Sequence, residues 1–405
     1  MIKYRLFLFS FILYGSLFFS CSSEKKGYVV KNPNDMGLKD KAVVLTRDEV
    51  MEYVTIPEGK VVIVNDAAGK SLPSQCDDID GDGKWDELAF LVDIKAKENK
   101  KVFFKAVDPS EVPDFPKRTN IRFGDKKPPY KELLTAERLK TSDSPSSTAA
   151  FQMEGPAWEN DIIGFRNYFD ARNGMDIFGK QVSVMALDSV GLPGKPTYHE
   201  LSDWGMDILK VGNSLGAGAI GLKVGDSIYH IGPTGEGWYR FITEGPVRAM
   251  FELTFKNAVI AGRKYDIKHV VSIYAGDNFY RSSVTVNGLQ GDEKLITGIV
   301  NHDLPLSTGE FNGMEYFYTL GPQAFTHEKL GMALLVDKNV FAGNFSAPDS
   351  GDGITKTYVV SMNIENGKPV GFEFLAAWEN QNAKYVDVKG FEELIKKSIF
   401  RVSLK

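Results

Sequence analysis

The chain has 405 residues, a net charge of −5, 43 % hydrophobic and 25 % charged residues. This balance is ordinary for a globular protein with room for two domains, and it lacks the basic footprint that nucleic acid or an anionic lipid surface would attract. With Cys21 and Cys76 as the two cysteines, a disulfide-stapled scaffold is excluded.

At the N-terminus, Lys3 and Arg5 precede an apolar run from Leu6 to Phe19. Ser20 and Cys21 follow, then polar Ser22-Ser23-Glu24-Lys25-Lys26-Gly27. A basic start, a short apolar core and a small residue before cysteine describe a bacterial lipoprotein signal. The run falls short of the ~20 apolar residues of a transmembrane helix. The expectation is a signal peptide over 1–20, lipid on Cys21, and a flexible tether over 21–39. At ~0.8 kcal/mol per buried CH₂, several acyl chains would hold the protein firmly at the envelope. It would then be an outer membrane lipoprotein, periplasmic or cell-surface, touching the membrane through the anchor alone. The residues after Cys21 partly resemble the acidic export tags of Bacteroidota surface lipoproteins, and one acid among two lysines leaves both leaflets open.

Short β-branched or aromatic segments then recur: Val43 to Leu45, Lys60 to Val64, Leu88 to Ile94 and Lys101 to Val107. They predict a small β-sandwich over 40–110. Between them lies Asp77-Asp78-Ile79-Asp80-Gly81-Asp82-Gly83-Lys84-Trp85-Asp86-Glu87. Alternate acids in a tight turn can surround a hard cation, with Asp78, Asp80, Asp82 and Asp86 as side-chain ligands and Lys84 offering its carbonyl. Position 12 of the loop is Ala89, so the EF-hand glutamate is missing. Structural calcium, stapling a hairpin, is the expected cofactor.

Proline- and serine-rich stretches around Lys127–Pro129 and Thr141–Ser147 suggest a linker over 111–148. Beyond it, alternation in Phe251, Leu253, Phe255 and in Tyr265, Ile267, His269, Val271, Ile273 opens a long series of strands. The fold class is therefore all-β: a small N-terminal β-sandwich followed by a large antiparallel supersandwich over 149–405. One amphipathic helix fits Gly390 to Phe400. His269, on an apolar strand face, is expected in the core.

Functional side chains are densest from Glu154 to Lys210. As a strand, Arg166, Tyr168 and Asp170 share a face. Arginine can clamp a carboxylate, and tyrosine can transfer a proton. His199 is a candidate acid or base, with Asp203 and Asp207 beside it if the segment were helical. Ordinary structural salt bridges are the plain alternative for both groups. Gly216-Ala217-Gly218-Ala219-Ile220-Gly221 fits a dinucleotide fingerprint, yet Leu222-Lys223-Val224 after it reads as strand, so no nucleotide is expected.

Several of these segments are similar to one family. Leu72-Pro73-Ser74-Gln75, Trp158-Glu159-Asn160, Phe165 to Asp170, Asp176 to Lys180 and Trp204 to Gly212 resemble the domain of unknown function 4861. Its members look like Bacteroidota envelope proteins associated with polysaccharide breakdown. Glu244-Gly245-Pro246-Val247-Arg248-Ala249 resembles the galactose-mutarotase-like supersandwich, without that fold's His/Glu motif. These resemblances imply an oligosaccharide or polysaccharide partner, and an enzyme for uronic-acid-containing glycans. In a lyase, Arg166 would neutralise the uronate, Tyr168 or His199 would take the proton, and Asn160 would hold the enolate-like charge. In a hydrolase, two of Glu159, Asp170, Asp203 and Asp207 would form the carboxylate pair. A non-catalytic glycan-binding lipoprotein is the alternative.

Overall fold

The computed structural model describes residues 26–138, 150–232, 236–400 and 402–404. Cys21, the signal segment and the Thr141–Ser147 stretch lie outside the described residues. The fold is all-β, in antiparallel sheets.

Two sheets form the small domain. One orders Ser403–Leu404, Tyr28–Lys31, Asn99–Val107, Val61–Asp66 and Ser71–Leu72; the other orders Leu38–Thr46, Glu87–Ile94 and Ser74–Asp77. Val30, Leu45, Val64, Leu88, Phe90 and Val102 meet between them. The expected boundaries need two corrections. The tether assigned to 21–39 contributes strand Tyr28–Lys31, because Val30 is apolar enough to be buried completely. The linker assigned to 111–148 contributes strands Thr119–Arg122 and Thr135–Glu137, which join sheets of the large domain. The chain's end also returns to the small domain through Ser403–Leu404.

The large domain is built on a nine-stranded sheet running from Ser307–Phe311 to Thr135–Glu137. Its central strands alternate as a half-buried ladder should. Leu253 lies opposite His269 and Phe255 opposite Ile267, all in the core. Two five-stranded sheets cover the inner face. One contains Gly205–Asp207, Met175–Lys180, Ile163–Asn167, Ala157–Asn160 and Thr119–Arg122; the other runs from Ser227–His230 to Phe341–Ser346. Helix Val388–Ile399 covers part of the outer face. Its Phe391, Leu394, Ile395 and Ile399 pack on Ala333, Leu335, Leu375 and Ala377. The neighbouring Leu334, Phe374 and Ala376 point into the main core.

The small domain docks through Ala89 and Leu91 against Val247, Tyr274 and Ala275. Arg248, 2 % exposed, bridges Asp77 and Glu87 at 2.7 Å each. The Gln75 carboxamide oxygen accepts from the Val247 and Arg248 amides. Gly216-Ala217-Gly218 runs into strand Gly221–Val224, with no helix between. Gly218 sits at φ +92°, and a Cβ there would lie 2.6 Å from the Tyr280 hydroxyl oxygen, so backbone passes where a side chain could not.

Candidate functional site

Strands Ala157–Asn160, Ile163–Asn167 and Met175–Lys180 are buried at every residue, because their sheet is covered on both faces. The polar side chains of the Glu154–Lys210 segment are therefore largely turned into a closed layer. Arg166, 1 % exposed, is its centre. It pairs with Asp176, lies 2.9 Å from Asp207, and donates to the Tyr168 hydroxyl at 2.8 Å and the Met153 carbonyl at 3.2 Å. The Tyr168 hydroxyl donates to Asp176 at 2.7 Å. Three aromatic rings, Tyr168, Phe178 and Tyr198, pack round the guanidinium. Burial, then Asp176, pushes the Asp207 carboxyl well above the usual carboxylate range, with Arg166 opposing. Burial likewise pushes the Tyr168 phenol up, against the pull of Arg166.

The other candidates divide among different roles. His199 is half exposed, with Nδ1 3.6 Å from Asp207; burial and then Arg166 lower its pKa, which favours the neutral ring. The segment is not helical, and Asp203 lies in an exposed turn before strand Gly205–Asp207. Asp170 pairs with Arg172, which also reaches Glu154 at 2.7 Å and stacks on Tyr168. Glu159 pairs with Lys180 in a fully buried ion pair and accepts from the Ala186 and Leu187 amides. Asn160 donates to the Tyr274 and Asp277 carbonyls at 2.6 and 2.7 Å, pinning two sheets together. Arg166, Tyr168, Asp207 and His199 thus come together; Glu159, Asn160, Asp170 and Asp203 do not join them.

The aspartate loop is a turn ahead of strand Glu87–Ile94. Asp78, Asp80 and Asp86 each offer an oxygen within 4.8 Å of the others. Asp82 instead accepts from the Lys84 amide at 2.8 Å. The loop also touches the large domain: Arg240 donates to the Ile79 carbonyl at 3.0 Å.

The polypeptide that leaves the Arg166 layer at Asp207 enters a second, open environment. A cleft of about 620 Å³ lies at one end of the large sandwich, between loops 210–214, 300–303, 322–327 and 355–356. Its walls are held by backbone. The Thr355 amide donates to the Asn213 carbonyl at 3.2 Å, the Asn301 amide to the Lys356 carbonyl at 2.7 Å, and the Phe325 amide to the Ile208 carbonyl at 2.8 Å. Gln323, buried, ties its own loop to the Leu330 carbonyl at 2.7 Å. His327 adopts φ +71°. Phe325 is 51 % exposed at the rim. Burial lowers the His302 pKa; Asp303 opposes it, and the positive charges of Lys210 and then Lys356 add smaller downward pulls.

The model of the domain of unknown function (DUF4861) matches residues 30–403. The chain belongs to this family.

Uncharacterized protein P7 of Formosa agariphila is 24 % identical over 394 residues, covering 95 % of this chain and 94 % of that protein. Among solved structures, an alpha-mannosidase from Enterococcus faecalis has 10 % identity and a TM-score of 0.41 over 94 % of this chain. A protein in glycosyl hydrolase family 38 from Enterococcus faecalis has 9 % identity and a TM-score of 0.40 over 94 % of this chain. The chain spans 46 % and 47 % of those two chains. Within the DUF4861 chain, the motifs that carry the family likeness mark architecture. Gln75 and Arg248 meet at the domain joint, while Arg166, Asp176 and Asp207 meet in the buried layer. Sequence reasoning missed the cleft, whose His302, Phe325, His327 and Lys356 come from separate loops. The available signal was weak: two of five histidines in polar connections between strands.

Proposed function

We propose that this protein is a lipid-anchored envelope protein that binds, and acts on, oligosaccharides or polysaccharides in the cleft between Lys210 and Lys356. The cleft itself carries the reading. Its volume of about 620 Å³ falls in the range of small-molecule sites. Asn213, Asn301 and the two histidines supply donors and acceptors, while Phe325 and Val300 supply apolar surface. A sugar ring presents both kinds of surface, hydroxyls at its edge and C–H groups on its face. Titrating the protein with a panel of oligosaccharides tests this: saturable binding lost in Phe325→Ala supports the cleft, and binding unchanged in that variant argues against it.

Cleavage is the second reading. Ordinary glycoside hydrolysis uses two carboxylates, and Asp303 is the one carboxylate among the cleft-lining residues. Elimination needs a base, and the neutral imidazole of His302 suits that role better. Arg166 and Tyr168, satisfied inside the protein, would act here by fixing the strand that leads into the cleft. A new ultraviolet absorbance from an unsaturated sugar would support a lyase. Binding with no product would leave a non-catalytic glycan-binding lipoprotein.

Anchoring at Cys21 is tested by Cys21→Ser, which should move the protein out of the membrane fraction. Calcium in the aspartate loop is the companion proposal, with Asp78, Asp80 and Asp86 as converging ligands.

A further inference from the structure

The chain as a whole is acidic, with a net charge of −5, yet the cleft reverses that sign. Lys210 and Lys356 line it against a single carboxylate, Asp303. Lys356 reaches Asp303 only at 3.9 Å, and those side chains remain 50 % and 81 % exposed. The Lys210 ammonium makes no ion pair among the described residues. This contrasts with the buried cations of the fold: Arg166, Arg248 and Lys180 each meet a carboxylate directly. Lys210, His302 and Lys356 all line this one cleft. Loops fixed by the Asn301-to-Lys356 and Thr355-to-Asn213 backbone hydrogen bonds keep them there.

Resting on the glycan reading of this cleft, we infer that its ligand is an acidic sugar, whose carboxylate or sulfate group is held by the ammonium groups of Lys210 and Lys356. Two under-neutralised ammoniums in a wall that also offers Asn213, Asn301 and Phe325 favour an anion carried on a sugar over a neutral sugar.

The test is calorimetric titration of the detergent-solubilised full chain with three probes of equal length: a 4-linked oligouronate, a sulfated oligogalactan and the neutral oligogalactan. At least one acidic probe should bind roughly tenfold or more tighter than the neutral one, as expected for a charge-assisted hydrogen bond. Its affinity should fall as NaCl rises. Lys210→Ala and Lys356→Ala should each weaken it about tenfold, and Lys356→Arg should restore most of the loss. Binding of the oligouronate alone identifies a carboxylate, and of the sulfated probe alone a sulfate. A neutral probe that binds as tightly as the acidic ones, indifferent to both substitutions, overturns the inference and leaves the glycan reading standing. Failure of all three probes to bind overturns both.

Discussion

The Arg166 layer and the Lys210–Lys356 cleft are joined through Ile208 and Leu209, yet they treat charge in opposite ways. In the layer, each cation faces a carboxylate at hydrogen-bonding distance and water is excluded. In the cleft, ammoniums stand exposed with little to neutralise them. Paired charges in a closed layer hold a shape, because removing one partner leaves the other stranded in a poor solvent. Incompletely paired charges around an open volume are available to a ligand. The density of functional side chains along the sequence therefore points to the architecture, and the binding surface lies just beyond it.

The largest expected effect would break this comparison at its buried side. Arg166→Met leaves Asp176 and Asp207 without their cation and should cost ~3–5 kcal/mol of stability. Urea unfolding measures it; a loss under about 1 kcal/mol, the ordinary mutational scale, would mean that the layer does not fix the strand leading into the cleft. Lys180→Met, which strands Glu159 at zero exposure, should fall in the same range.

Much of the layer's composition was legible in sequence, but its burial was not. Alternation of Phe251, Leu253 and Phe255 revealed strands and their core face, and the same pattern placed His269 inside. The spacing of Phe391, Leu394, Ile395 and Ile399 revealed the helix. Arg166, Tyr168 and Asp170 alternate as they would on an exposed face, and nothing local distinguishes that from a sheet covered on both sides. The nine-stranded sheet covers the other face, where Trp158 and Phe165 point; the Arg166 face is closed by Met153, Glu154 and Tyr198, from irregular segments whose sequence carries no periodicity. The cleft was illegible for the same reason. Lys210, His302, His327 and Lys356 lie on loops that meet only because their strands are registered in two stacked sheets, and no spacing rule encodes which loop ends coincide.

The domain joint offers an intermediate case: Arg248 and Asp77 are buried, Glu87 is 32 % exposed, and an acidic loop lies beside them. If calcium occupies Asp78, Asp80 and Asp86, a hundredfold excess over its dissociation constant should add about 2.7 kcal/mol. Chelation should then lower the melting temperature, and Asp80→Asn should remove the response. A melting temperature indifferent to chelator would leave the loop as a turn held by its own backbone hydrogen bonds, such as Asp86 accepting from Ile79 at 2.7 Å.

His269 sharpens the buried side by titration. Burial lowers its pKa to about 3, while its Nε2 lies 2.9 Å from the Ser282 hydroxyl oxygen. The unfolded chain, with an ordinary histidine pKa near ~6.5, takes up the proton first as pH falls. This contribution is thus intact above pH ~6.5 and is lost at about 1.4 kcal/mol per pH unit on descending toward 3. Urea unfolding at several pH values should show a slope that His269→Gln flattens by about that amount. Equal slopes would place the ring in contact with water.

The smallest stability effects belong to the cleft, and they sharpen its side of the comparison. Lys210→Ala and Lys356→Ala should each alter stability by no more than about 0.5 kcal/mol, since neither side chain satisfies a buried partner. Their signature is electrostatic instead. Burial and the two lysines hold the His302 pKa down while Asp303 pulls it up. Lys356→Ala should raise the midpoint of the His302 proton resonance by roughly a few tenths of a pH unit at low salt. Asp303→Asn should lower it by a similar amount, and 1 M NaCl should erase both shifts. A midpoint that neither substitution moves would mean that these charges do not share a volume with His302, and the open region would lose the property that sets it apart from the buried one.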